Sequence, residues 1–329
     1  MHYLVTGGSG FIGAACVRRL VEKGHKVRVL DDNSRGRLRR MEDIEGKFEM
    51  VNGDIRDATA VRQATKGVDS VIHMAFVNGT EFFYKYPELV LDVGVRGMMN
   101  VLDACQAEGV RDLVLASSSE TYQTPPVIPT PEEVPLVVPD VLNPRYSYGG
   151  GKLISELMTV TWGRKFFDRA TIFRPHNVYG PDMGWEHVIP QFIMRLLDGM
   201  EKYPKGPIPF DIKGGGSQTR AFVHIDDFTD GLMAVIEKGA QLGIYHIGNP
   251  EEVTIAELAR KIAAHFGREL IFADAETFAG ETVRRCPDIT KLRGLGYAPH
   301  IPLDKGLAST IGWYQANQHR RDDRLAVNS

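Results

Sequence analysis

The sequence feature that most constrains the fold is a glycine-rich turn near the beginning of the chain. It follows the short apolar run at residues 4–6 and has its glycines at Gly7, Gly10 and Gly13. Apolar residues then recur at helical spacing, as Ile12, Cys16, Leu20 and Val21. This order predicts a strand, a tight turn and a helix. Small residues let the backbone approach a pyrophosphate, and the N–H groups that begin the helix bind its charge, so the turn predicts a phosphate site.

The residues after the turn favour a dinucleotide as the phosphate ligand. The first helix is expected to end at Gly24, a strand is expected at residues 27–30, and Asp31 and Asp32 follow it. A carboxylate about twenty residues after such a turn binds the ribose hydroxyls of an NAD adenosine. The alternative is a glycine turn in an unrelated α/β domain, because tight turns also use glycine for its conformational freedom.

A cluster of arginines bears on the choice between NAD and NADP. It follows the acidic pair and consists of Arg35, Arg37, Arg39 and Arg40. We interpret it as a solvated loop, because Asp31 would repel the extra phosphate of NADP. NAD is therefore the expected cofactor.

Strands and helices alternate through the first half of the chain. Strands are predicted at 47–51, 70–73, 112–116 and 170–174, and helices from Asp57, over 87–108 and over 146–167. This alternation predicts an α/β fold with a Rossmann-type doubly wound parallel sheet. Ligands of such sheets bind at the carboxyl ends of the strands, which places Asp54, Ala75 and Ser117 to Glu120 on one rim.

Beyond Arg174 the elements become shorter and richer in proline and glycine, which predicts a smaller C-terminal α/β lobe that binds substrate. We expect an NAD-binding domain over 1–174, to which 220–242 returns, a lobe of 175–219 and 243–315, and a frayed tail over 316–329. Thr254 and Glu257 have the spacing of a capping box at a helix start.

Composition excludes several classes of function. The 329 residues are 43% apolar and 25% charged, with a net charge of −3. The overall charge of the chain therefore does not attract nucleic acid or an anionic membrane. The three cysteines are far apart and lack metal spacing, so neither a metal site nor a disulfide framework is expected. A strand that starts at His2 leaves no room for a signal peptide, and the cytoplasm is the expected location.

Tyr148 and Lys152 are the residues best suited to chemistry. They are four residues apart on a predicted helix, so their side chains share one face. An ammonium beside a phenol favours the phenolate and lowers the phenol pKa, which makes Tyr148 a usable general base. An isolated pair of this kind is more often a surface contact. Here, however, the predicted helix follows a strand that ends in serines at the ligand-binding rim, so a serine hydroxyl can face the phenol.

Several further motifs extend this pattern in one order. They are Gly53-Asp54-Ile55, His73-Met74-Ala75, Ser118 four residues before Tyr122, the run from Arg174 to Pro181 and the run from Thr219 to Asp227. Together with the glycine turn, Asp31 and the Tyr148–Lys152 pair, they resemble the extended short-chain dehydrogenase/reductase family, specifically its nucleotide-sugar epimerases, dehydratases and decarboxylases. The resemblance covers roughly residues 1 to 315.

The resemblance implies a role for each matching residue, an NAD cofactor and a nucleoside-diphosphate sugar as substrate. It implies catalytic roles for Ser118, Glu120, Tyr148 and Lys152. It implies cofactor contacts for Gly7, Gly10, Phe11, Ile12, Gly13, Asp31, Asp32, Asp54, Ile55, Ala75, Tyr148, Lys152, Pro175 and His176, and substrate contacts for Ser119, Asn177, Arg220 and Arg285. It also implies a homodimer through the helices near 87–108 and 146–167, where Leu89, Val93, Leu157 and Val160 are apolar.

The chain departs from the family pattern at three places. Gly94 stands where the family has an asparagine, Gly149 to Gly151 stand where it has alanine or serine, and an unmatched segment runs from Asp182 to His187. Three glycines weaken a helix by about 1 kcal/mol each relative to alanine. Close approach of a ligand explains them, and sequence drift is the alternative.

The implied reaction begins when Tyr148 takes the proton of the sugar's C4 hydroxyl while NAD accepts the C4 hydride. The 4-keto sugar then gives the C4 epimer, a 4-keto-6-deoxy sugar by loss of water, or a pentose by loss of carbon dioxide. Glu120 matches the triplet of dehydratases and decarboxylases, whereas Ser118 is common among epimerases. We expect 4-epimerisation, with dehydration and decarboxylation as alternatives, and a non-enzymatic dinucleotide-binding protein as the alternative from another class.

Overall fold

The computed structural model describes residues 1–275 and 282–324. Its strands are β1 (His2–Thr6), β2 (Lys26–Asp31), β3 (Glu49–Asn52), β4 (Ser70–His73), β5 (Asp112–Ala116), β6 (Arg169–Pro175), β7 (Val178–Tyr179), β8 (Ile208–Lys213), β9 (Thr219–Ala221), β10 (Val223–His224), β11 (Ile244–Ile247), β12 (Glu252–Thr254), β13 (Leu270–Ala275) and β14 (Arg284–Arg285).

The α-helices alternate with these strands through the first half of the chain. They are α1 (Phe11–Glu22), α2 (Ala58–Thr65), α3 (Thr80–Lys85), α4 (Pro87–Leu91), α5 (Gly97–Glu108), α6 (Ser147–Gly163), α7 (Val188–Lys202), α8 (Ile225–Lys238), α9 (Ile255–His265), α10 (Thr290–Arg293) and α11 (Leu303–Ala316). No helix in the described part of the chain is long and apolar enough to cross a membrane.

A seven-stranded sheet organises the molecule, with strand order β11-β6-β5-β4-β1-β2-β3 and every neighbouring pair parallel. Both faces of the sheet are covered: α1 and α8 pack on one core, and α2, α5 and α6 on the other. The chain order reverses between β1 and β4, and at such a switch point the loops diverge and leave a crevice for a ligand. The predicted doubly wound α/β fold is confirmed.

A second lobe packs beside this sheet around its own apolar core. It comprises α7, α9 and α11 with the small sheets β8–β13 and β12–β9–β14. Buried aromatic side chains of Trp185, Phe192, Phe210 and Tyr314 belong to that core. The predicted capping box of α9 is present, with Thr254 Oγ1 accepting from the Glu257 N–H at 3.0 Å.

The main sheet extends further along the chain than predicted. The boundary that we predicted at residue 243 places β11 in the second lobe. The structure instead pairs β11 with β6, as the edge strand of the seven-stranded sheet. Leu292 and Tyr297, which follow it, are buried in the same core as α1 and α8. An apolar edge strand gains more stability by pairing with β6 than by pairing with the short strands of the lobe. The composition of the neighbouring sequence does not indicate which strand it pairs with.

The predicted tail is partly ordered. Residues Gln318–Arg324 form a 3₁₀ helix, and Arg321 Nη2 lies 2.8 Å from Asp198 Oδ2 of α7. The remainder of the predicted tail lies outside the described residues.

The long helix predicted over 87–108 is interrupted. Between α4 and α5, residues Asp92–Arg96 form a π-helical segment, a wider coil that often marks functional sites. A Cβ atom on Gly94 would lie 2.2 Å from Phe76 Cζ, and one on Gly97 would lie 2.3 Å from Ile55 Cδ1. Side chains from the sheet rim therefore press directly on the helix backbone here.

One buried ion pair connects α6 to β6. Arg174 donates to Glu156 from Nε at 2.8 Å and from Nη2 at 2.6 Å, and both side chains are at most 5% exposed. The Ser117 hydroxyl also donates to Glu156. This pair fixes the helix that carries Tyr148 and Lys152 against the end of the sheet.

We expect Glu156→Ala to lower the free energy of unfolding by about 3–5 kcal/mol, because it leaves the Arg174 charge buried without a partner. Urea denaturation measures the change. The control is Asp168→Ala, which breaks the pair with Arg111 whose side chains are 49% and 74% exposed; it should cost less than about 1 kcal/mol. Equal losses in the two variants would contradict this account of the pair.

Candidate active site

The glycine turn has the geometry of a phosphate cradle at the switch point. Gly7 has a φ of +72°, which favours glycine, and a Cβ on it would lie 2.7 Å from the backbone nitrogen of Ala75 after β4. A Cβ on Gly13 would lie 2.1 Å from the Gly7 oxygen. Gly10 caps α1 without a side-chain hydrogen bond, so the helix begins with its N–H groups uncovered by a side chain. Phe11 and Ile12 begin this helix and pack against the core.

The acidic pair after β2 divides into a buried and an exposed member. Asp31 Oδ2 accepts from the Ser9 N–H at 3.0 Å, and Oδ1 accepts from the Asn33 N–H at 2.9 Å. Asp31 thus holds the glycine turn against β2. Asp32 is exposed and accepts from the Ser34 hydroxyl at 2.6 Å.

The predicted rim residues after β3 and β4 lie beside this turn. Asp54 accepts from Arg56 Nη2 at 2.6 Å, and Ile55 is buried against Gly97 at the start of α5. The Ala75 N–H lies 3.3 Å from the Thr6 hydroxyl at the end of β1. These residues therefore form a continuous wall along one side of the crevice.

The arginine cluster is not the solvated loop that we predicted. Arg39 Nη2 lies 2.6 Å from Asp182 Oδ1, and Arg35 Nη2 lies 2.5 Å from Glu186 Oε1. Both acids belong to the segment after β7 that had no match in the family pattern. Since they lie far along the chain, no local pattern indicates that they compensate the arginine charge. The cluster joins the loop after β2 to the second lobe.

The structure brings Tyr148 and Lys152 together on the inner side of α6. Lys152 Nζ donates to the Ala116 carbonyl at the end of β5 at 2.7 Å, and it lies 5.9 Å from the centre of the Tyr148 ring. Both side chains are buried, at 3% exposed for Lys152 and 7% for Tyr148. The two groups thus lie at the carboxyl edge of the sheet, as expected.

The protonation of this pair differs from the prediction. Burial raises the pKa of the Tyr148 phenol, although a hydrogen bond from Ser118 opposes the rise. Burial lowers the pKa of Lys152 to about 7, against a smaller opposite effect of Glu156. The prediction that the ammonium lowers the phenol pKa is not supported, because burial is the largest effect on both groups and the group that lowers the pKa of Tyr148 is Ser118.

Ser118 and Glu120 lie beside the phenol. Ser118 is 9% exposed, and its hydroxyl accepts from the Glu120 N–H at 3.1 Å as a 3₁₀ helix, Ser119–Tyr122, begins. Ser119 is buried at the same corner. A Cβ on Gly149 would lie 3.0 Å from the Glu120 carbonyl oxygen, so this glycine lets α6 approach the serine loop.

Arg285 forms an ion pair with Glu120. The distance from Arg285 Nη1 to Glu120 Oε1 is 2.5 Å. Arg220 lies beside Arg285, because β9 and β14 pair in register at these two residues. Burial raises the pKa of Glu120, but Arg285, Arg145 and Arg220 together hold it below its usual value. Glu120 is therefore an ionised carboxylate surrounded by positive charge.

The chain after β6 supplies the other side of the site. Pro175 ends β6, and His176 is buried with neither ring nitrogen hydrogen-bonded to any described residue. Burial lowers the pKa of His176, so its ring is neutral. Asn177 has a φ of +40° and donates to the Ala221 carbonyl at 3.1 Å.

Sequence reasoning missed three residues of this site. Phe83 stacks on Tyr148 with ring centres 4.9 Å apart, and Phe76 meets it edge-on at 5.2 Å. Arg145 contributes to the charge around Glu120, and its buried Nε has no hydrogen-bond partner in the described structure. The position of Arg145 three residues before Tyr148 was the available signal for it. Phe76 directly follows the quoted His73-Met74-Ala75 motif, but nothing in the sequence indicates that its ring reaches α6.

Comparison with known proteins matches this arrangement to one family. The sequence pattern described as the NAD dependent epimerase/dehydratase family matches residues 3–248. UDP-glucuronic acid decarboxylase 1 of Xenopus tropicalis is 31% identical over 95% of this chain and 72% of its own. A putative UDP-glucose 4-epimerase of Methanocaldococcus jannaschii is 32% identical over 95% of this chain and 98% of its own.

A solved structure supports the same assignment. The dTDP-glucose 4,6-dehydratase DesIV of Streptomyces venezuelae, solved with NAD bound, has a TM-score of 0.86 and 30% identity, and the match covers 97% of this chain and 98% of that one. The cofactor of this chain is NAD, and the residues present fit it. The glycine cradle has no room for side chains, the start of α1 offers N–H groups, and Asp32 offers an exposed carboxylate.

We expect Gly13→Ala to weaken NAD binding at least about tenfold, because the added methyl group forces the Gly7 carbonyl out of the turn. Isothermal titration calorimetry measures the dissociation constant. Gly312→Ala in α11 is the control, since a Cβ there meets no atom within 4 Å. Unchanged NAD affinity in Gly13→Ala would contradict the assignment of the cradle.

Proposed function

The chain belongs to the NAD dependent epimerase/dehydratase family, and from that membership we propose that it is a lyase that decarboxylates a nucleoside-diphosphate uronic acid through a 4-keto intermediate. The observation that carries the proposal is the Glu120–Arg285 pair beside Ser118 and Tyr148. This differs from our sequence-based preference for 4-epimerisation. The charge around Glu120 is the reason for the change.

The charge of the site suits a substrate with three negative groups or more. Arg145, Arg220 and Arg285 all lower the pKa of the Glu120 carboxylate, so three guanidinium groups act on one carboxylate there. A nucleoside-diphosphate hexose carries only its diphosphate. A uronic acid adds a carboxylate at C6, and arginine binds such a planar anion through two hydrogen bonds.

The residues of the site divide the chemistry among them. In its phenolate form, which burial makes costly to reach, Tyr148 takes the proton of the C4 hydroxyl, with Ser118 sharing the hydrogen bond, and the C4 ketone forms. When bound, NAD supplies the acceptor and later the donor of the C4 hydride. The C5–C6 bond then breaks, carbon dioxide leaves with the carboxyl carbon, and the electron pair moves to the C4 oxygen as an enolate. The phenol of Tyr148 donates a hydrogen bond to that oxygen, and a solvent proton adds to C5. The hydride then returns to C4, and Tyr148 gives its proton back to the C4 oxygen.

The raised pKa of Tyr148 is compatible with the second half of this sequence. A phenol that burial keeps protonated is a good donor to an enolate oxygen. Arg285 supports binding rather than bond breaking, because its guanidinium can pair with the C6 carboxylate and hold it in place.

The two alternative reactions, dehydration and epimerisation, make less use of the Glu120–Arg285 pair. Dehydration needs a free base at C5 and an acid for the departing hydroxide, whereas Glu120 is ion-paired and its neighbour Ser119 has no acidic proton to give. Epimerisation needs the phenol and a pocket in which the sugar turns, and it offers Arg285 no anionic group beyond the diphosphate. Loss of carbon dioxide needs no acid for the leaving group. UDP-glucuronic acid, which the Xenopus relative's name gives, is therefore the first substrate to test.

We expect the protein to release carbon dioxide from UDP-glucuronic acid and Arg285→Gln to lower that rate by about 100-fold. Arg284→Gln is the matched control, because Arg284 is next to Arg285 in the chain but its side chain is exposed and is paired with Glu252 instead of Glu120. Tyr148→Phe should abolish turnover. Product NMR with UDP-glucose and dTDP-glucose tests the alternatives: interconversion of hexoses without carbon dioxide release would favour the epimerase. No turnover of any sugar would favour a non-enzymatic binding protein.

We also propose that the protein is a homodimer through α4, α5 and α6. Of the apolar residues that we singled out, Leu89, Val93 and Val160 pack partly within the chain, whereas Leu157 is 61% exposed. Leu91, Met99 and Ile154 are also exposed, at 37–38%. Together with Leu157 they form apolar surface on the three helices that a second copy would cover.

We expect Leu157→Asp to convert the dimer into a monomer, because it places a charge in the centre of this surface. Light scattering after size exclusion measures the mass. Leu142→Asp is the control, since Leu142 is 88% exposed but lies in the loop before α6. A wild-type protein with the mass of one chain would contradict the proposed dimer.

A further inference from the structure

Phe76 lies between the π segment and α6, in direct contact with the pair of residues on which the proposed chemistry depends. Its ring centre is 4.0 Å from Lys152 Nζ, closer than the ring of Tyr148 at 5.9 Å. It also meets the Tyr148 ring edge-on, with ring centres 5.2 Å apart and an angle of 85°. One aromatic side chain therefore contacts both members of the pair.

Two of the departures from the family pattern have a common explanation in this ring. A Cβ on Gly94 would lie 2.2 Å from Phe76 Cζ, and a Cβ on Gly151 would lie 3.0 Å from the same atom. Gly94 and Gly151 lie on different helical segments and approach the ring from different elements. At both positions, the phenyl ring of Phe76 occupies the space that a side chain would need.

We propose that Phe76 is a positioning residue for Lys152: its ring face holds the ammonium group beside Tyr148 and stabilises its charge, and Gly94 and Gly151 make room for that ring. The inference deepens the proposed function, since it concerns the same Tyr148–Lys152 pair, but the contact itself does not depend on which sugar is converted. It assigns a cause to glycines that the sequence alone left open between ligand approach and drift.

The other groups around Lys152 leave its charge poorly compensated. The Ala116 carbonyl from β5 accepts one hydrogen bond at 2.7 Å. Glu156, one turn along α6, is already bound by Arg174 and Ser117. His73 of β4 is neutral, because burial lowers its pKa to about 3, and Tyr148 is an uncharged phenol.

An aromatic face is a suitable partner for an ammonium in such surroundings. The attraction between a cation and the ring quadrupole is strongest where water is excluded, and both groups are buried or nearly so at this place. Burial lowers the pKa of Lys152 to about 7 even though Glu156 opposes the shift. Removing the ring while keeping the site apolar should therefore lower the titration midpoint of Lys152 further.

NMR titration of the lysine side chain tests this directly and does not rely on turnover. The full-length protein is labelled with [ε-¹³C]lysine, its Lys152 signal is assigned by loss in Lys152→Met, and the midpoint is followed with and without saturating NAD. Phe76→Leu should lower the midpoint by about one pH unit in both states. Phe83→Leu is the matched control, since it also removes a ring from Tyr148 but not from Lys152, and it should leave the Lys152 midpoint in place.

A second pair of variants keeps Phe76, and one of the two is expected to displace its ring. Gly151→Ala adds a methyl group against Phe76, whereas Gly150→Ala adds one whose nearest atom is Val138 Cγ2 at 3.4 Å. Both substitutions raise helix propensity equally. Gly151→Ala should shift the Lys152 midpoint in the same direction as Phe76→Leu, and Gly150→Ala should not.

A Lys152 midpoint that is unchanged or raised in Phe76→Leu would overturn the inference, as would equal shifts in Gly151→Ala and Gly150→Ala. The proposed function fails separately. A lowered midpoint in a protein that converts no nucleotide sugar would retain the role of Phe76 and reject the decarboxylase.

Discussion

The burial of one ammonium group, that of Lys152, is the constraint on which the rest of the site depends. A desolvated charge is costly unless its surroundings compensate it. Here the compensation comes from the Ala116 carbonyl, the ring of Phe76 and the more distant Glu156. The contacts with Ala116 and Phe76 require α6 to lie close against the carboxyl edge of the sheet, and Gly149 and Gly151 of α6 permit that approach.

A second electrostatic feature separates this site from a simple hydride-transfer site. Glu120 and Arg285 come from the end of β5 and from β14, and they meet where the second lobe packs on the sheet rim. The arginines around Glu120 are the reason we propose an anionic substrate group beyond the diphosphate. In the proposed decarboxylation, the outcome of the 4-keto intermediate depends on this pair.

The sequence predicted those parts of the structure that local pattern determines. The strands at 70–73 and 112–116 have the predicted bounds, because central strands of a parallel sheet are continuous apolar runs. The glycine turn and the capping box at Thr254 were predicted for the same reason, since their chemistry lies within a few residues. The membership of β11 in the main sheet was not, because strand pairing is a choice among distant segments.

The sequence could nominate members of the site but not their interactions. Tyr148 and Lys152 were brought together as expected, yet the direction of the Tyr148 pKa depends on how much water the folded chain excludes. The contacts of Arg39 with Asp182 and of Phe76 with Lys152 join residues far apart in the chain. Spacing rules do not report such contacts.

The isotope content of the product tests the central claim most directly. If the protein converts UDP-glucuronic acid in D₂O as proposed, the pentose product carries one solvent deuteron at C5 for each carbon dioxide released, because the enolate is protonated where the carboxyl carbon left. A product that retains all six sugar carbons and carries no deuterium would contradict the account and indicate epimerisation at C4.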